Sequence, residues 1–137
     1  MSRGSSRLDL AQDLGADRLV DSSRGDAAAQ IQRLGGVDAA LVFAPSDDVV
    51  SQALASLKPG GTLVLGVNAT VRDFPFALEQ TVVGSLLGSR AMMREVLDIA
   101  AAGKVRVEAE ARPLDEAAKA LADLKDGSVA GRLVLVP

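Results

Sequence analysis

The chain of 137 residues predicts an α/β fold on a mostly parallel sheet, and three observations carry that expectation. Two apolar runs, VDAALVFAP at 37–45 and TLVLGV at 62–67, are strand-sized and nearly continuous, the mark of strands covered on both faces. Between them SDDVVSQALASLK has helical apolar spacing, so strand, helix and strand follow in the order a parallel crossover needs. Helix-like and strand-like segments then keep alternating as far as Pro137.

Taken in order, SSRLDLAQDL at 5–14 places Leu8, Ala11 and Leu14 at helical spacing, with Ser5 or Ser6 as the cap and Gly15 as the stop. ADRLVDSS predicts a short strand running into a loop. GDAAAQIQRLGG is a helix with Asp26 near its positive end and a Gly-Gly stop. Ser46 caps the central helix, Asp47 and Asp48 occupy its first turn, and Lys58 stands at its end, where Pro59-Gly60-Gly61 turns the chain into the next strand. NATVRDFPFALE reads as a loop broken by Pro75, and QTVVGSLLG as a further strand. Residues 89–102, SRAMMREVLDIAAA, form an amphipathic helix stopped by Gly103. KVRVEAEARPL alternates like a strand with one wet face, LDEAAKALADLKDG is a helix, and GRLVLVP is the terminal strand.

Composition narrows the chemistry. The length suits one core, either a globular unit or a piece of one. The chain has no Cys and no His, which excludes disulfides, thiolate nucleophiles, imidazole bases and the usual zinc-ligand sets. Fifteen basic and eighteen acidic residues are interleaved to a net charge of -3, so no basic patch forms to track nucleic acid. No apolar run reaches membrane or signal-peptide length, which predicts a soluble, cytoplasmic protein with no membrane partner. Phe43, Phe74 and Phe76 are the only aromatics, leaving Ala, Val and Leu to build the core.

Ligands of open parallel sheets bind at the carboxyl ends of the strands, which nominates Asp21–Ser23, Phe43–Ser46, Gly66–Asn68 and Ser85–Gly88. Gly66 reads either as a strand-end turn or as a place where a backbone or flat ligand comes close. Capping accounts for Ser46, Asp47 and Asp48 without an acidic catalytic cluster. Arg132 reads either as a solvated strand-end cation or as a planar clamp for phosphate. No G-x-G-x-x-G between strand and helix and no P-loop occurs, and the glycines of GGTLVLG precede a strand, the wrong context for cradling a pyrophosphate.

Read together, RLDLAQDLGADRLVDSS, GGVDAALVFAPS, LKPGGTLVLGV, DFPF, VVGSLLGSR, GKV and PLDEAAKALADLKDGSVAGRLVL resemble the zinc-type alcohol dehydrogenases of the medium-chain dehydrogenase/reductase superfamily. The resemblance covers essentially the whole chain and only the downstream part of such an enzyme. It implies an incomplete Rossmann-like sheet of order 3-2-1-4-5-6, with 17–22 as the third strand, 37–44 the fourth, 62–67 the fifth and about 80–87 the sixth. Residues 1–87 would form a partial dinucleotide-binding domain, and 88–137 a small strand-helix-strand portion of the catalytic domain. The glycine fingerprint and every zinc ligand would lie upstream of Met1.

The same resemblance implies site residues. Arg7 matches the contact to the adenosine ribose, and Ser2 stands where NAD-preferring members place an acidic residue. That departure, with Arg3 beside it, suits a 2′-phosphate and leaves NAD and NADP both open. Phe43 and Ala44 match the adenine and nicotinamide cleft, Leu65, Gly66 and Val67 the strand end beside the nicotinamide, Ser85 and Leu87 the backbone groups that hold the carboxamide, and Arg132 the pyrophosphate contact. No residue is assigned to proton transfer or to metal. The implied reaction is hydride transfer between a small alcohol or aldehyde and the nicotinamide cofactor, with zinc polarising the oxygen in the family. This chain is expected to be inactive alone and to form a homo-oligomer through the strand at 80–87. Two other readings stand beside it: a non-catalytic binding or assembly module with exposed strand edges, and an S-adenosylmethionine-dependent methyltransferase, where LKPGG before a strand is also common.

Overall fold

The computed structural model of the chain describes residues 1–2 and 5–137, with Ser5 and Ser6 as backbone only. The expected Ser5 or Ser6 cap and the Arg3 position therefore lie outside the described residues. In place of the single core suggested by length, the chain divides into two compact units, Met1–Leu8 with Arg18–Leu87 and Asp9–Asp17 with Gly88–Pro137. Helix α1 (Ser5–Asp13) ends before Gly15, whose positive φ of 98° only glycine adopts freely.

In the first unit the segment 17–22, expected as a strand, makes one isolated parallel bridge among the described residues, from Asp21 to Ser2. Val20 is its one buried side chain, so a single anchor holds it and no ladder grows. Helix α2 (Ala27–Arg33) starts as its composition dictates: the Asp26 carboxylate accepts the Ala29 N–H at 2.9 Å, satisfying one of the orphan donors of the first turn. Strands β1 (Val37–Val42), β2 (Leu57–Leu65) and β3 (Thr81–Gly84) pair in parallel in the order β1-β2-β3. Helix α3 (Asp47–Ala55) makes the β1 to β2 crossover. Its Val50, Ala53 and Leu54 meet Val42, Leu57 and Leu63 in the buried core.

Three expectations change here. Pro59-Gly60-Gly61 is not a turn ahead of the strand: β2 already pairs through Leu57 with Val37, then bulges, and resumes with Thr62 opposite Ala39. Gly60 takes φ 73°, and a Cβ on Gly61 would stand 2.9 Å from the Lys58 carbonyl and 3.2 Å from that of Asp38. Gly60 is thus favoured by its left-handed backbone, and Gly61 by the neighbouring carbonyls that leave no room for a Cβ. Nor is β1 covered on both faces, since Leu41 is 64% exposed while Val42 is 3%. The strand expected over 80–87 shortens to Thr81–Gly84.

In the second unit α4 (Arg90–Ala101) is capped by Ser89, whose hydroxyl accepts the Met92 N–H at 3.2 Å, and is followed by Gly103 at φ 70°. Strand β4 (Ala109–Pro113) is shorter than the alternating run 104–114 predicted, because only this stretch finds a partner, the parallel β5 (Arg132–Val136). A 3-10 turn at Leu114–Glu116 takes the acidic pair and leads into α5 (Ala117–Lys125). Arg112 on β4 donates from Nη1 to Asp123 on α5 at 2.6 Å and from Nε to Glu110 at 2.7 Å. Hydrogen bonds to Glu110 and Asp123 raise the Arg112 pKa, and the Arg112 hydrogen bond holds the Asp123 carboxyl below its ordinary value.

Candidate functional site

The first unit gathers most of the nominated residues at the carboxyl edge of its sheet, as the parallel topology requires. Phe43 and Ala44 follow β1, Gly66 and Val67 follow β2, and Ser85 to Leu87 follow β3. The ladder runs slightly past the strands: Gly66 N–H donates to Val42 at 2.9 Å, and Ser85 N–H donates to Leu65 at 2.9 Å. The Ser85 N–H is therefore already engaged within the sheet.

A cleft of about 300 Å³ at this edge brings Arg7 and Ala44 together with Met1, Ser2, Ser22, Ser46 and Val49. Helix α1 delivers Arg7, the bridge between Ser2 and Asp21 fixes two of the serines, and the N-terminus of α3 supplies the third. Ser22 N–H and Oγ both donate to the Ser2 carbonyl, at 3.0 and 3.2 Å. Ser46 occupies the N-cap position of α3 but makes no side-chain cap bond, contrary to the capping expectation, so its hydroxyl is not committed to the helix. The sequence signal for its place in the cleft was position alone, directly after the carboxyl end of β1. Arg7, guanidinium-bearing, and three hydroxyls make a cleft suited to a polyhydroxylated or anionic ligand.

The strand ends Leu65, Gly66 and Val67 form the wall beside it. Leu65 and Val67 turn their side chains to the core. Gly66 does admit a flat group, but the group is the Phe43 ring: a Cβ on Gly66 would stand 2.6 Å from Phe43 Cδ1 and Cε1. The ring itself is 72% exposed, presenting an aromatic face at the strand ends. Leu87 holds φ at 61°, a backbone conformation uncommon for any residue but glycine, and its side chain is 90% exposed.

Asp47, expected only to complement the helix dipole, has a second task. Its carboxylate accepts the Thr70 N–H at 2.9 Å and pairs with Arg72 at 3.3 Å, tying the segment after β2 to α3. The Thr70 N–H, aided by Arg72, holds the Asp47 carboxyl below its usual range. Arg132 belongs to the second unit, where its backbone N–H donates to Glu108 at 2.9 Å and its guanidinium to the Gly131 carbonyl at 3.3 Å. Among the described residues no group of three or more Asp or Glu side chains is placed to hold a metal ion, and with Cys and His absent the chain offers no fit to the family's zinc. No helix among the described residues is long and apolar enough to cross a membrane.

The sequence pattern of zinc-binding dehydrogenases matches residues 14–135. The chain belongs to this family. It is 37% identical over 136 residues to an alcohol dehydrogenase of Moraxella sp. (strain TAE123), covering 94% of this chain and 40% of that protein. With an alcohol dehydrogenase of Geobacillus stearothermophilus it shares 38% identity over 133 residues, 92% of this chain and 39% of the relative. The crystal structure of the Aeropyrum pernix alcohol dehydrogenase matches at a TM-score of 0.91 and 36% identity, over 98% of this chain and 41% of that one. A zinc-binding dehydrogenase of Sinorhizobium meliloti solved with NADP matches at a TM-score of 0.80 and 27% identity, over 99% of this chain and 44% of that one. The family chain thus spans about 40% of the length of the curated relatives it matches. Its α/β architecture with parallel strands corresponds to the Rossmann-like downstream part of those dehydrogenases.

Proposed function

We propose that this chain is the downstream part of an NAD(P)-dependent alcohol dehydrogenase, with residues 1–87 forming part of the coenzyme domain and 88–137 the returning part of the catalytic domain. The observation that carries the reading is the cleft at the carboxyl edge of the sheet, where Arg7 meets the hydroxyls of Ser2, Ser22 and Ser46 beside Ala44. Such a set suits the ribose and phosphate end of a dinucleotide. The exposed Phe43 ring gives an apolar wall at the same edge, and the Ser85 carbonyl with the positive-φ Leu87 turn suits a carboxamide.

A bound nicotinamide would supply the hydride chemistry between an alcohol and its carbonyl product. The residues present here bind and orient; none is assigned a proton. Zinc chemistry would draw on donors outside this chain, so the isolated 137 residues are expected to lack zinc-dependent alcohol oxidation. Ser2 carries no carboxylate to repel a 2′-phosphate, so the cleft is assigned to either NAD or NADP. The outer edge of β3, which among the described residues pairs with β2 alone, supports homo-oligomerisation through 80–87. A cytoplasmic location is part of the same proposal.

Titrating NAD, NADP and S-adenosylmethionine separately into the chain, followed by NMR, tests the assignment. The nicotinamide cofactors should bind in about the millimolar range, roughly -4 kcal/mol, because only part of the site is present. Shifts should centre on Arg7, Ala44 and Ser46, and Arg7→Ala should weaken binding several-fold. Shifts confined to other residues, or tighter binding of S-adenosylmethionine, would sink the proposal.

A further inference from the structure

The first unit has another cavity at the opposite edge of its sheet. Because β1, β2 and β3 run parallel, Phe43, Gly66 and Ser85 leave the sheet at one edge, while β2 begins at Leu57 and β3 at Thr81 on the other. At that amino edge a cavity of about 450 Å³ lies between the carboxyl end of α3, the start of β2 and the segment 72–80. Its floor is buried, with Leu54, Leu57 and Gln80 at 4%, 2% and 7% exposure. Gln80 Nε2 donates to the Leu57 and Lys58 carbonyls, both at 3.4 Å, so turning the amide over would set its oxygen against two acceptors. The amide is thereby oriented, and its Oε1 stays buried with no donor among the described residues.

A buried amide oxygen without a donor is costly, and a ligand that brings an N–H or O–H removes that cost. Leu54, Leu57 and Leu78 surround the oxygen's side of the cavity with apolar surface, so the donor has to stand at the end of an apolar group. The exposed mouth carries both signs of charge. Arg72, its side chain 67% exposed, meets Asp47 through Nη2 at 3.3 Å, and its fork has room for a second carboxylate. Asp73, the next residue, brings a carboxylate suited to an ammonium. We propose that this cavity binds a free amino acid whose apolar side chain ends in an N–H or O–H donor. The side chain lies on the buried floor with its donor at Gln80 Oε1, and the zwitterionic head sits between Arg72 and Asp73. A nucleotide suits the place less well, because its phosphates would face the Asp73 carboxylate and the negative end of the α3 dipole. None of these residues lines the cleft around Arg7, so the site stands apart from the dehydrogenase reading.

L-Tryptophan and L-phenylalanine are the probes, since both have large apolar side chains and only the first carries a side-chain donor. Titrated into the 137-residue chain and followed by NMR, they should give saturable shifts at Leu54, Leu57 and the Gln80 side-chain amide. L-Tryptophan should bind in about the millimolar range, and L-phenylalanine roughly tenfold more weakly. Gln80→Met removes the acceptor at similar length, so it should abolish the preference while leaving L-phenylalanine within about twofold. Arg72→Ala changes an exposed side chain and should weaken both amino acids alike, several-fold, which keeps the proposal open to refutation even if Gln80→Met does not fold. Equal affinities in the parent chain, a preference that survives Gln80→Met, or an Arg72→Ala variant that binds both unchanged would each overturn it. So would the lack of saturable shifts at the cavity up to the solubility of the probes, which would mean that water alone satisfies Gln80 Oε1. A dimeric mass with the amides of 72–80 protected would overturn it too, because a second copy would then cover the mouth.

Discussion

Six aliphatic side chains, Val42, Val50, Ala53, Leu54, Leu57 and Leu63, form the buried centre of the first unit, whereas among the described hydrophobics of the second unit only Ala120 is buried. In the second unit Met92, Met93, Val96 and Leu97 of α4 and Leu121 and Leu124 of α5 stand more than half exposed. What ties β4 to α5 there is the Arg112 guanidinium held between Glu110 and Asp123. Burial therefore accounts for the first unit, while the second combines a two-stranded ladder and an ion-pair cluster with apolar surface left uncovered. The difference teaches where local opening should begin: few buried contacts and many exposed apolar groups mark the second unit as the weaker.

The sharpest way to break this contrast is a matched pair of truncations. Leu63→Ala empties a fully buried position and should cost about 2–5 kcal/mol. Leu121→Ala removes a side chain that is 66% exposed and should change stability by less than about 0.5 kcal/mol. Urea melts of the two variants decide the matter, and comparable losses would mean that the second unit has a core of its own. Next in size is Gly131→Ala, whose methyl would collide with the Glu108 carbonyl, the acceptor of the Arg132 N–H. A backbone atom yields less readily than a side-chain tip, so about 1–3 kcal/mol should be lost, read as faster amide exchange across β4 and β5 with the first unit unaffected. Asp26→Ala removes the α2 cap and should cost about 1 kcal/mol, visible as fraying of Ala27–Ala29 in the first unit only.

Much of this architecture was legible in the residues. Helical spacing and the Gly15, Gly36 and Gly103 stops located the helices, and the apolar runs located β1 and β2. What sequence pattern could not separate was a turn from a bulge at Pro59-Gly60-Gly61, because both need glycines free of Cβ and only the partner strand distinguishes them. The segment 17–22 has strand composition, yet a strand is made by its neighbour, and among the described residues Ser2 alone is paired with it. An apolar run likewise cannot report whether both faces are covered, which is why the exposure of Leu41 came from the fold. For the site, the strand-end rule nominated Ser22 and Ser46 at one edge, but only the resemblance singled out Arg7, and nothing in the pattern brought it to their side.

The smallest effect expected is also the one that separates the units by pH. Both Asp123 and Asp47 have carboxyl pKa values lowered in the folded chain, by the Arg112 hydrogen bond in one case and mainly by the Thr70 N–H in the other. A lowered folded value means that the stabilisation is present above the unfolded carboxylate pKa, about 3.9, and is lost as pH falls through the still lower folded one. Below about pH 4 protonation of Asp123 should therefore loosen α5 from β4, where Ala120 is the one buried hydrophobic in the unit. Protonation of Asp47 in the same range should release only the Thr70–Arg72 segment, since the aliphatic core of the first unit carries no titrating group. An acid titration followed by amide exchange should show α5 losing protection while Val50 and Leu63 keep theirs, and Asp123→Asn should make the α5 amides insensitive to pH across that range. If α3 and α5 instead lost protection together, the two units would be one cooperative body and the contrast drawn from their burial would fail.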